Sequence, residues 1–203
     1  MEFRSFWSIV DDAPTDLNFA IFLASALGIF PSQSTFSDTG LWPQAHQPVD
    51  DEDKHSLLTR QWNQWWLAMI REKSGKPPGD PRRHEQWSTL FSPTEQFHTL
   101  DDPLRAACVD FIHCFDQWWT LPAGGQFAVK YWTSRIPFDG IVQQVAQELG
   151  RPVRPFHLTV HFVYAGLNDI LDLSETYAIL GINTPSLTIH NTAWWLNKVR
   201  TIA

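Results

Sequence analysis

A chain of 203 residues with 43% hydrophobic and 18% charged content can bury a core, and it lacks the charge excess of a disordered chain. Its formal net charge of −7 argues against binding nucleic acid along its phosphates, which draws on clustered lysine and arginine. Tryptophan is the outlier at 11 residues, and that much indole surface has to be buried somewhere.

The length fits one domain over residues 1–203; a subdivision would separate a mainly helical 1–120 from a mixed strand and helix region, 121–203. "MEFRSFWSIVDDAP" carries Glu2 and no apolar run before Asp11, so it does not read as a secretory signal. The most apolar stretch, "LNFAIFLASALGIF" (17–30), is shorter than the roughly 20 residues a membrane helix needs. A soluble, cytoplasmic protein is expected. Cys108 and Cys114 fall in one helix on different faces, about 9 Å apart along its axis, and cannot bridge each other. Both are expected to be small core residues in a reducing compartment.

In chain order, residues 2–10 alternate Phe3, Trp7 and Ile9 with Glu2, Arg4 and Ser8, which predicts a strand. A helix over 16–28 follows, capped by Asp16 and closed by Gly28. Residues 31–50, with three prolines, read as loop. After "DDED", Leu58, Trp62, Trp65, Trp66, Met69 and Ile70 recur at helical spacing until Gly75 and Pro77 stop them. The connection 73–100 holds the one basic cluster, Lys73, Lys76, Arg82 and Arg83, read as a solvated loop. Trp87, Leu90, Phe91 and Phe97 in it are expected to tuck against the core.

A third helix begins at Asp101 or Asp102, with Pro103 in its first turn, and carries Leu104, Cys108, Phe111, Ile112, Phe115, Trp118 and Trp119. "LPAGG" ends it. "QFAVKYW" alternates Phe127, Val129 and Tyr131 with polar neighbours, which predicts a strand. Then come a helix over 138–149 closed by Gly150, strands at 155–164, 176–180 and 186–190, and a final amphipathic segment, "AWWLNKVRTI". Helices in the first half and strands in the second predict an α+β protein. Its helix-rich N-terminal half would pack on a small, mainly antiparallel sheet from the C-terminal half.

The doubled tryptophans at 65–66, 118–119 and 194–195 widen apolar stripes, because helix neighbours point about 100° apart. Most of them read as core; a tryptophan left at the surface can anchor a partner. "AGGQ" (123–126) resembles the Gly-Gly-Gln tip of peptide-chain release factors, which implies contact with the ribosome. The aromatic surroundings and the acidic charge favour a turn instead, in which Gly124 and Gly125 supply positive φ on the way into a strand. "HLTVH" sets His157 and His161 about 13 Å apart on a strand, too far to share one zinc ion.

"HLTV" (157–160) and "HNTA" (190–193) together resemble the paired His-x-Thr-x signature of the two-histidine phosphoesterases. The resemblance implies acid and base roles for His157 and His190 on a phosphodiester, with Thr159 and Thr192 beside them. "HNTA" departs from the pattern in lacking an apolar residue after the histidine. Carboxylates at 50–53 and at Asp101-Asp102 mark helix starts, where they offset the helix dipole; a third group comprises Asp169, Asp172 and Glu175.

No nucleophile elbow, phosphate loop or dinucleotide fingerprint is present in the sequence. The leading expectation is therefore a non-enzymatic protein-binding module without metal, cofactor or membrane contact. Its narrowest form is a bacterial immunity or antitoxin-type inhibitor that binds a basic toxin. Asp50, Asp51, Glu52 and Asp53 would steer the partner, and exposed Trp65, Trp119 and Trp195 would lock it. The alternative is the phosphodiesterase built on His157 and His190.

Overall fold

"TDLNFAIFLASAL" carries apolar residues on every side, and a helix of that kind has to be surrounded by protein. In the computed structural model, which describes residues 6–31, 35–36, 42, 47–77, 97–182 and 192–203, this segment forms α1 (Thr15–Leu27), buried from Asp16 to Leu27. Gly28 closes it at φ 67°, where a side chain would be strained, and its N–H turns back to the carbonyls of Ala24 and Ser25.

Helices α2 (Glu52–Gly75) and α3 (Asp102–Trp119) pack on one side of α1, which in turn lies on the sheet. The stripe Leu58, Trp62, Trp66 and Met69 is buried on α2 as its spacing demands. Trp62 and Trp66 stack nearly parallel at 5.8 Å, and the Trp62 indole N–H donates to the Ala20 carbonyl of α1 at 2.6 Å. On α3 the buried residues run Leu104, Cys108, Phe111, Ile112, Phe115 and Trp119. Burial pushes the Cys108 thiol pKa up. Cys114, by contrast, is exposed on a different face of the helix, so it is not the core residue expected.

The sheet comprises β1 (Trp7–Asp12), β2 (Phe156–Val163), β3 (Leu171–Ser174) and β4 (Tyr177–Gly181), in the order β1-β2-β4-β3. β1 pairs parallel with β2, and β2 parallel with β4; only β3 and β4 are antiparallel. The α+β class stands, but the sheet is mixed and mostly parallel rather than mainly antiparallel. The reason lies in β3, hidden in the carboxylate-rich spelling "NDILDLSE". It makes the hairpin with β4, so β4 runs parallel to β2. Buried from Leu158 to Val163 and from Tyr177 to Gly181, β2 and β4 have the near-continuous burial of strands covered on both faces.

A single side chain fastens α1 to this sheet. Asn18, fully buried, donates its amide to the carbonyls of Pro14 at 2.9 Å and Phe162 at 3.0 Å, and its Oδ1 accepts the Tyr164 N–H at 2.8 Å. It thereby satisfies the end of β2 where no strand neighbour does. Asn18→Leu leaves two of those backbone groups without their partner and is expected to cost about 2–4 kcal/mol, read as a lower urea midpoint.

The predicted strand "QFAVKYW" is instead a helix, α4 (Gly125–Thr133). Its buried residues are Gly125, Val129 and Thr133, four apart, a spacing the short alternation concealed. α5 (Phe138–Leu149) and α6 (Thr192–Ile202) pack against each other, with Arg200 paired to Glu148 at 2.5 Å. Buried Lys198 of α6 pairs with Asp172 and donates to the Ser174 carbonyl, tying α6 to β3. The strand expected at 186–190, and Arg82, Arg83, Trp87, Leu90 and Phe91, lie outside the described residues.

Candidate functional site

Turning "QFAVKYW" from strand to helix moves its aromatic side chains from the interior to the surface. A strand would place Phe127, Val129 and Tyr131 on one face. The helix buries Val129 and directs Phe127 and Tyr131 outward, to 49% and 53% exposure. Trp132 beside them is 40% exposed, and Leu121 in the turn before α4 is 54% exposed. Among the described residues, four of the six exposed large hydrophobic side chains thus lie within residues 121–132.

Their setting is organised. The Arg135 guanidinium lies 4.1 Å from the Tyr131 ring centroid and 5.5 Å from that of Trp132, and it also donates to the Tyr131 hydroxyl. Cation–π contact holds both rings in place at the surface.

Beneath the helix lies a crevice of about 480 Å³. One wall is the end of β1, with Asp11 and Asp12; the other is α4, with Val129, Lys130 and Thr133, and Ser134 just after it. The Asp12 carboxylate accepts the Ala13 N–H at 2.8 Å as the chain turns toward α1. The crevice therefore opens at the carboxyl end of a parallel strand, the edge of an α/β sheet where ligands commonly bind.

What fixes α4 beside β1 is the Gly-Gly pair. Gly124 has φ −85°, ordinary backbone, so the positive φ expected of it is absent. Space is the constraint instead. A Cβ on Gly124 would sit 1.8 Å from the Trp118 carbonyl oxygen, and one on Gly125 would sit 2.2 Å from the Trp118 indole. Only glycines let α4 start this close to the end of α3.

The acidic run occupies another surface. Asp50, Asp51, Glu52 and Asp53 are all exposed where α2 begins. Asp51 caps the helix by accepting the Lys54 N–H at 2.8 Å. Asp50 and Asp51 also face Asp110 of α3 across a groove of about 350 Å³ floored by Leu27, Leu58 and Phe111.

The three tryptophans expected at an interface are placed differently. Trp119 is 2% exposed and stacks on Phe115 at 5.3 Å; Trp195 is 1% exposed and packs edge-on against Phe138. Both are core residues and present no surface to a partner. Each belongs to a pair whose other member faces outward more, because the two point about 100° apart. Trp65 is half-buried against Phe19 and Phe97.

His157 is half-buried at the start of β2, its Nδ1 3.1 Å from the Ser8 hydroxyl and its Nε2 3.4 Å from that of Thr159. Both ring nitrogens thus meet hydroxyls of the sheet. Thr192 is exposed at the start of α6, and His190 lies outside the described residues. His161 is fully buried, with its Nδ1 2.9 Å from the Tyr177 hydroxyl. Asp172, from the third carboxylate group, is held by Lys198.

The chain matches no protein-family model, no curated protein and no solved structure. No described helix is long and apolar enough to cross a membrane.

Proposed function

We propose that this chain is a protein-binding module that docks its partner on the outer face of α4. The supporting observation is the concentration of Leu121, Phe127, Tyr131 and Trp132 at the surface of one short helix segment. Aromatic residues and arginine are the types that dominate binding energy at protein interfaces, and here Arg135 lies against two of the rings. A core does not require these side chains, since α4 already buries Gly125, Val129 and Thr133. The net charge of −7 favours a basic partner, and the acidic groove between α2 and α3 adds a second surface that would attract one. The narrowest form of this reading is an immunity or antitoxin-type inhibitor of a basic toxin.

The test uses the chain as bait in a lysate of its source cells, beside a Phe127→Ser/Tyr131→Ser variant. Both substituted side chains are about half exposed, so the variant should melt within a few degrees of the parent. The parent should retain one basic protein that the variant loses, with affinity weakened at least about 30-fold. Equal retention by the two baits would refute the proposal.

A further inference from the structure

We infer that the outer edge of β1 binds the same edge of a second copy of this chain, joining two four-stranded sheets into one. The direction of the backbone groups carries the argument. Along a strand, successive residues aim their N–H and C=O groups to opposite sides. In β2 the Thr159 N–H donates to the Thr176 carbonyl, and the Val163 carbonyl accepts the Ile182 N–H, so its odd-numbered residues face β4. The even-numbered ones face the β1 side, where Asn18 takes up the Phe162 carbonyl and the Tyr164 N–H past the end of β1. The register Ile9↔Leu158 then directs Leu158 to Ser8 and Val10, and turns the backbone of Trp7, Ile9 and Asp11 away from the sheet. Ala13, the next residue on that side, gives its N–H to the Asp12 carboxylate. Among the described residues, nothing hydrogen-bonds the outward groups of Trp7, Ile9 and Asp11.

The opposite edge of the sheet is guarded. β3 has only four residues, its pairing with β4 is irregular between Asp172 and Ser174, and Lys198 donates to the Ser174 carbonyl. Short length, irregular pairing and lysine are the devices by which edges avoid pairing. β1 uses none of them. Its six residues keep an unbroken register with β2 and include neither lysine nor proline. Phe6, just before it, is 79% exposed, the highest value among the described large hydrophobic side chains.

A second β1 fits this edge when it runs antiparallel with Ile9 opposite Ile9. That register engages every outward residue, since Trp7 of each copy then meets Asp11 of the other, and each pair exchanges two N–H···O bonds. Like charges directly opposite destabilise a strand pair. None meet here, because Asp11 stands opposite Trp7 and Asp12 opposite Phe6. The arrangement is also a closed two-fold, the commonest symmetry of soluble oligomers. An edge this short buries less than a standard interface, so a dissociation constant on the order of 50 µM is expected.

The experiment follows the full chain by sedimentation equilibrium and amide hydrogen exchange at about 5 and about 500 µM. A dimer is expected at the higher concentration, with the Trp7, Ile9 and Asp11 amides exchanging roughly fivefold more slowly there. Ser8 and Val10, already in the ladder with β2, should change less. Asp11→Pro removes an outward donor and leaves that ladder intact, because proline is tolerated where its nitrogen faces away from a sheet. It should stay monomeric at both concentrations, whereas Phe127→Ser/Tyr131→Ser should dimerise like the parent. A parent that stays monomeric would overturn the inference. So would a dimer whose three outward amides remain fast, one that survives Asp11→Pro, or one that only the α4 variant abolishes. Should Asp11→Pro fail to fold, the amides of the parent decide alone.

Discussion

Gly124→Ala should destabilise this protein by about 3–5 kcal/mol, at the upper end of what overpacking costs. The added methyl would lie 1.8 Å from the Trp118 carbonyl oxygen and 3.0 Å from that of Leu121, both backbone atoms. Since φ at Gly124 is −85°, alanine accepts the conformation and the whole cost is steric. In thermal unfolding the change is expected as a drop of roughly 10 °C. Gly125→Ala provides the contrast, because its methyl would strike indole carbons of Trp118 at 2.2 Å and of Trp119 at 2.6 Å. Adding Trp118→Ala should return part of the stability lost in Gly125→Ala and none of that lost in Gly124→Ala. A double-mutant cycle that gives the same coupling at both glycines would contradict this account.

Lys73→Met should cost about 3–5 kcal/mol at neutral pH, since it strands a carboxylate in the interior. Asp16 and Lys73 pair at 2.7 Å, with side chains 11% and 6% exposed. Burial raises the Asp16 pKa above its ordinary value, and the Lys73 ammonium pulls it back down. Without Lys73 that carboxyl rises further. An acid whose folded pKa exceeds its unfolded value contributes stability that is complete below the unfolded pKa and lost as pH rises through the folded one. The penalty of Lys73→Met should therefore be larger at about pH 7 than at about pH 4, where the stranded acid is protonated more readily. Urea midpoints at the two pH values measure it. Joining Asp16→Leu to Lys73→Met removes both charges and should recover most of the loss. A penalty that grows toward acid pH would exclude this assignment.

Elements governed by long periodicities or by end signals were legible in the sequence. α1 and α5 end at Gly28 and Gly150, both with positive φ, and α3 begins with Pro103 in its first turn. Periodicity over the long α2 placed Trp62 and Trp66 in the core without ambiguity. Short segments were where the reading failed. Over seven residues, Phe127, Val129 and Tyr131 satisfy a strand, and only the wider set Gly125, Val129 and Thr133 reveals the helix. β3 was missed because its strand pattern is brief and two of its four residues are polar. Pairing direction was out of reach, since it depends on which distant segments meet. The aromatic surface was lost with α4, because burial in a strand and exposure on a helix are opposite fates for the same side chains.

The partnership of β1 with β2 governs how the chain can be assembled. Ser8 and His157 are neighbours in the sheet although 149 positions separate them, with the five described helices α1 to α5 strung between. During synthesis the first strand must wait, its ladder groups unmatched, until residues 156–161 of β2 have emerged. A loop that long closes slowly, so a helical cluster around α1 can gather first and the sheet can be sealed last. In that interval the open edge of β1 can pair with another nascent copy instead.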